Sequence, residues 1–139
     1  MKNVLVFALG PDRHALELRW IREIFTLVAM TPVPTAPPVV DGVVNFKGAI
    51  VPVLNARVLL GSSAPRRPPQ PGDALVLLDV TGTRAALAVD RIDTVTSLDA
   101  RPGGDELVDA AGAPVPLVDP PALIAAVSQI IEGGHGARA

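Results

Sequence analysis

Neither cysteine nor tyrosine occurs in these 139 residues, and three phenylalanines and one tryptophan complete the large aromatics. Without cysteine there are no disulfides, thiolate metal sites or cysteine nucleophiles. Nothing then argues for an oxidising compartment, and a folded cytoplasmic domain is expected. The shortage of aromatics removes the stacking platform on which single-strand nucleic-acid binders rely. An excess of positive charge is also missing: twelve basic and fourteen acidic side chains leave a net charge of −2. Phosphate neutralisation supplies much of nucleic-acid affinity, so no nucleic-acid partner is expected. Long apolar runs are absent as well. The stretch 4–9 has six apolar residues and 74–78 has five, far short of a membrane span. The N-terminal stretch lacks a small-residue cleavage site and reads as a first strand rather than a signal peptide.

What is present is apolar material broken at short intervals. Apolar types make up 49% of the chain, enough for a real core, and the length suits one domain. Fifteen prolines and twelve glycines punctuate it, which excludes long helices and favours short strands with tight turns. Valine contributes 19 residues, so the strands are aliphatic and β-branched. Ten strands are expected, at 4–9, 15–19, 26–29, 43–46, 49–54, 74–79, 84–89, 94–98, 106–109 and 115–118. Turn chemistry lies between them, as in Gly10-Pro11-Asp12, Lys47-Gly48 and Thr81-Gly82. Ten short strands at hairpin spacing suggest small antiparallel barrels.

Helical turns are expected at 20–25 and at 56–60, the second stopped by Gly61. A C-terminal helix should start at Asp119-Pro120-Pro121 and run to Glu132, with Leu123, Val127, Ile130 and Ile131 on one face. Gly133-Gly134 should end it, giving one domain over 1–132 and a flexible tail over 133–139. The stretch 62–72, with Pro65, Arg66, Arg67 and Pro68, resembles a polyproline linker. Residues 1–60 carry +2 and 61–139 carry −4, but neither half could bury much core alone, so 62–72 is read as an exposed loop of a single domain.

Catalytic equipment is sparse. His14 in the first hairpin and His135 in the tail are the two histidines, and no nucleophile signature surrounds the serines. His14 reads as an aromatic-sized surface or turn residue. Asp79, Asp90, Asp93 and Asp99 match no calcium loop and read as solvated strand ends. No metal or cofactor is expected. A β-barrel enzyme or ligand carrier built on His14 and these carboxylates is the alternative to a non-catalytic interaction module.

One segment is more specific: Gly42-Val43-Val44-Asn45-Phe46-Lys47-Gly48-Ala49-Ile50-Val51-Pro52-Val53-Leu54-Asn55-Ala56-Arg57, ending at Leu59-Leu60-Gly61. It resembles the signature of CheW-like domains, the coupling proteins of bacterial chemosensory arrays. The opening strand Val4–Leu9, Ile21-Arg22-Glu23-Ile24, Leu87-Ala88-Val89-Asp90 and Val115-Pro116-Leu117-Val118-Asp119 resemble further family segments, in the family's order. The resemblance implies two interlocked five-stranded, SH3-like barrels sharing a core, with a C-terminal helix and no enzymatic activity. It implies two partners: a chemoreceptor cytoplasmic tip and the regulatory domain of a CheA-type histidine kinase. By the same resemblance Ile21, Glu23, Ile24, Gly42, Asn45, Lys47, Gly48 and Arg57 are the partner-binding candidates. Gly42 and Gly48 are expected to supply positive φ at the ends of one strand, with Lys47 and Glu23 presenting opposite charges on one face.

Four departures stand out. Lys47 replaces an Arg and loses its bidentate fork, Asn55-Ala56 replaces Asp-Leu, and His14 stands where Tyr or Phe is usual. The stretch between Leu98 and Val115, which holds Pro102-Gly103-Gly104, is shorter than usual. That shortening suggests an accessory adaptor that binds receptor but not kinase.

Overall fold

The computed structural model describes the backbone of residues 1–62, 67–100 and 106–136, and the side chains of these up to residue 129. Among the described residues ten strands are observed: β1 (Lys2–Leu9), β2 (Asp12–Glu17), β3 (Ile21–Thr26), β4 (Val40–Phe46), β5 (Ala49–Asn55), β6 (Ala74–Val80), β7 (Thr83–Val89), β8 (Arg91–Ala100), β9 (Glu106–Val108) and β10 (Pro114–Pro116). Two helices join them, α1 (Ala56–Leu60) and α2 (Pro120–Gly136), with a 3₁₀ turn at Leu18–Trp20. The strands form two five-stranded sheets, ordered β10-β9-β8-β1-β2 and β3-β6-β7-β5-β4.

Each sheet is drawn towards barrel closure by one bridge between its edges. In the first, Ala15 of β2 bridges Leu117, just past β10, and the Val118 amide donates to the Ala15 carbonyl at 2.8 Å. In the second, the chain leaving β3 reaches β4, where Thr31 and Val43 exchange both backbone hydrogen bonds at 2.9 Å. The expected all-β architecture of two small barrels is therefore observed.

Strand alternation explains how the barrels share a core. On β1, Val4 and Val6 point into the first barrel with Ala15, Leu98, Leu107 and Val115. The alternate residues Leu5, Phe7 and Leu9 point the other way, into a cluster with Leu54, Val76, Leu78 and Leu87 of the second sheet. On β6 the pattern repeats: Leu75 and Leu77 fill the second barrel, and Val76 and Leu78 join the shared cluster. Strands buried on both faces read as unbroken apolar runs, which is why 4–9 and 74–78 do so.

Several expectations need correction. Residues 20–25 were expected as a helical turn and 26–29 as a strand; instead Ile21–Thr26 is the strand and the turn lies earlier, at Leu18–Trp20. Pairing with β6 decides this, since β3 lies along a core strand from Ile21 opposite Leu78 to Thr26 opposite Ala74. A partner strand overrides weak local helical preference. Helix α2 runs through Gly133-Gly134 to Gly136. Its start is as expected: the Ala122 amide donates to Asp119 Oδ1 at 3.2 Å. Leu123 and Val127 are buried in the shared core, whereas the side chains of Ile130, Ile131 and His135 lie outside the described residues. Pro65, Arg66 and the Pro102-Gly103-Gly104 segment also lie outside them.

Candidate interaction surface

The β4–β5 hairpin turns on two residues, Lys47 (φ 49°) and Gly48 (φ 87°), between Phe46 and Ala49, which face each other across the ladder. Consecutive positive φ values in a two-residue loop make a type I′ turn, whose twist matches the strands it joins. The Gly48 amide donates to Asn45 Oδ1 at 2.9 Å and locks the turn. The β6–β7 hairpin repeats the design: Thr81 (φ 49°) and Gly82 (φ 89°) form the turn, and Gly82 donates to Asp79 Oδ1 at 2.9 Å.

Lys47 projects from this rigid tip with its side chain 73% exposed. Its ammonium lies 3.4 Å from Glu23 Oε1 of β3 and 5.2 Å from the centroid of the Phe46 ring. Phe46 packs against Phe25 inside the second barrel, with ring centroids 4.8 Å apart. The charged pair therefore rests on an aromatic base that fixes both strands. Together with Arg22, Ala49 and Arg84 these groups line an open groove of about 350 Å³. Asp79 anchors its far side, 3.2 Å from Arg84 and 4.0 Å from Arg22. The Gly82 amide, then the two guanidinium groups, hold the Asp79 carboxyl below its ordinary value.

Of the residues singled out from sequence, Glu23, Asn45, Lys47 and Gly48 come together on this face. Ile24 is exposed beside Glu23, whereas Ile21 is half-buried and packs against the shared core. Gly42 is not on the surface. It is buried in β4 without positive φ, and a Cβ there would stand 2.6 Å from the Thr31 carbonyl oxygen and 2.8 Å from Met30 Cγ. Its reason is close backbone approach at the bridge that closes the second barrel.

Arg57 also turns inward. Its side chain is 12% exposed, and a single nitrogen, Nη2, donates to both carboxylate oxygens of Asp90, at 2.8 and 2.7 Å. Asp90 further accepts from the Gly10 amide at 2.6 Å and from Arg67 at 3.2 Å. Arg67 at the same time clasps Asp73 at 2.9 and 3.1 Å. Asp90 is thus a junction that ties both sheets and the proline-rich loop together, not a solvated strand end. Burial pushes the Asp90 carboxyl up, but the bonds from Arg57 and Gly10 outweigh it and leave the group below its ordinary value.

His14 is likewise corrected: it is buried in β2 and stacks on Phe7, with ring centroids 5.6 Å apart. Asn55 caps α1, accepting from the Val58 amide at 3.1 Å while donating to Asp41 at 3.2 Å. Arg22 and Arg84 were missed from sequence. The register of β6 and β7 sets Arg84 opposite Asp79, and the pairing of β3 with β6 brings Arg22 to the same groove.

Two conjoined small barrels with a charged hairpin presented on a rigid frame define a β-barrel interaction module. The chain belongs to the CheW-like domain family, whose model matches residues 3–118. The chemotaxis protein CheW of Rhizobium meliloti (strain 1021) is 28% identical over 107 residues, covering 75% of this chain and 68% of that protein. The chemotaxis protein CheW of Treponema pallidum (strain Nichols) is 25% identical over 98 residues, 69% of this chain and 58% of the relative. In fold, the chain is similar to the scaffolding protein TtCheW from Thermoanaerobacter tengcongensis, with a TM-score of 0.69 at 20% identity. That similarity covers 85% of this chain and 88% of the solved one. This is a CheW-like adaptor of chemotaxis.

Proposed function

We propose that this adaptor is non-catalytic, acts in the cytoplasm, and couples chemoreceptors to a CheA-type histidine kinase. The observation that carries the reading is the match to the family across 3–118. Support comes from the exposed Glu23–Lys47 pair at the family's signature, held 3.4 Å apart on a locked hairpin. Ile24, Glu23, Asn45, Lys47 and Gly48 form the receptor-side face. Ile21 and Gly42 act beneath it, and Arg57 acts through Asp90 by holding the frame. An exposed pair of opposite charges orients a partner more than it adds affinity.

The accessory reading, with receptor binding but no kinase binding, has less support. Both β9 and β10 form despite the short 98–115 segment, and the likeness in fold covers 85% of the chain. Two binding titrations decide, one with a receptor cytoplasmic tip and one with the kinase regulatory domain. Binding to both is expected. Binding to the tip alone would revive the accessory role, and binding to neither would end the coupling reading.

A further inference from the structure

The seam between the two barrels contains a buried titratable ring. His14 on β2 sits directly opposite Phe7 on β1, and the two rings stack with 25° between their planes. Phe7 is fully buried in the shared core, and His14 is 8% exposed. The imidazole Nε2 is buried with no hydrogen-bond partner among the described residues. Beside it, Ser62 Oγ donates to Asp12 Oδ2 at 2.8 Å, joining β2 to the segment just past α1. A cavity of about 460 Å³ opens at the same place, lined by Asp12, Arg13, His14, Gly61, Ser62 and Glu106 among others.

Among the described residues, the charges around the ring are few. Its own strand carries Asp12, engaged with Ser62, and Arg13, which is held by Asp109 at 2.6 Å. From β9 comes Glu106; β1 presents Phe7, and the end of α1 presents Leu60 and Gly61. A neutral ring suits this setting, because it can stack on Phe7 with little polar surface to satisfy. An imidazolium does not, since a buried cation needs water or a carboxylate.

We propose that His14 is a proton-operated latch on the seam between the two barrels. Neutral, the ring seals β2 against the shared core. Protonated, it leaves Phe7 for the cavity, where Asp12 and Glu106 supply negative charge, and the seam loosens where β2 meets the end of α1. Acidification thereby changes how firmly one barrel holds the other without touching the Glu23–Lys47 groove.

The linkage has a definite sign. Burial lowers the affinity of the ring for a proton, and the charge of Asp12 only partly opposes this, leaving His14 below its ordinary 6.5. The unfolded chain therefore takes up the proton first. Stability is complete above pH 6.5 and is lost as pH falls below it, towards the folded-state value.

The test uses the full chain carrying His135→Gln, so that His14 is the remaining histidine. The urea midpoint is measured from pH 7.5 to 5.0, with NMR titration of the imidazole and of the backbone amides. The midpoint should fall with acid, and the Gly61 and Ser62 amides should titrate together with His14, below pH 6.5. In His14→Phe the midpoint should stay flat over that range. Should His14→Phe fail to fold, His14→Gln carries the same comparison. The latch is overturned if His14 titrates at or above 6.5, if Gly61 and Ser62 stay silent, or if the replacement keeps the acid slope.

Discussion

At Gly42 one missing methyl group decides whether a barrel closes. A Cβ would press on the Thr31 carbonyl oxygen and Met30, where Thr31 and Val43 make the closing bridge. Overpacking of this kind costs about 1–3 kcal/mol. Gly42→Ala should lose that much stability in urea denaturation, and Gly42→Asp more, because it also buries a carboxylate. A midpoint unchanged from wild type in both variants would refute the steric account. The exposed Glu23–Lys47 pair should behave oppositely. Surface ion pairs contribute roughly 0.2–1 kcal/mol, so Glu23→Lys should fold normally. Its receptor-tip binding should nevertheless weaken, most of all at low salt where charges are least screened. Equal binding by Glu23→Lys and wild type at low salt would remove this pair from the interface.

Asp90 holds three separate segments together through Gly10, Arg57 and Arg67. Removing it strands the inward-facing Arg57, and breaking such a pair costs about 3 kcal/mol or more. Its folded-state pKa lies below the ordinary 3.8, so the unfolded chain binds the proton first. The stability it contributes is present above pH 3.8 and disappears as pH falls through the lowered value. Acid denaturation of Asp90→Asn should begin from a lower stability and show a shallower slope below pH 4 than wild type. An unchanged slope would assign acid sensitivity to other groups, such as Asp73, which Arg67 clasps.

Among the elements, α2 best illustrates a segment that sequence reads well. Asp119, the two prolines after it, and the spacing of Leu123 and Val127 specify its start and its buried face by local chemistry alone. Truncating either side chain leaves a void in the shared core, so Leu123→Ala should cost about 2–5 kcal/mol by calorimetry or urea titration. A smaller loss would mean the helix is loosely docked. Strand β3 marks the limit of such reading. Ile21-Arg22-Glu23-Ile24-Phe25 has no clean period of two, and β6, its partner, comes some fifty residues later. The same limit applies to the site. Lys47-Gly48 declares its turn, and the resemblance locates Glu23, but nothing local reveals that Gly42 and Arg57 point inward. Pairing across the sheets decides both.

For the molecule as a whole, the two barrels share one hydrophobic core, and one strand is central to it. Strand β1 is buried on both faces from Val4 to Leu9, yet its ladder needs β8, whose first residue is Arg91. A ribosome adding about 5–20 residues each second would finish β8 on the order of ten seconds after β1. Throughout that interval β2 is the only strand in the β1 ladder, and the other edge of β1 is free to pair with a neighbouring nascent chain. The strand that best secures the finished protein is therefore its greatest hazard during synthesis, and the hold of a chaperone on the first ninety residues should govern how much folded adaptor a cell recovers.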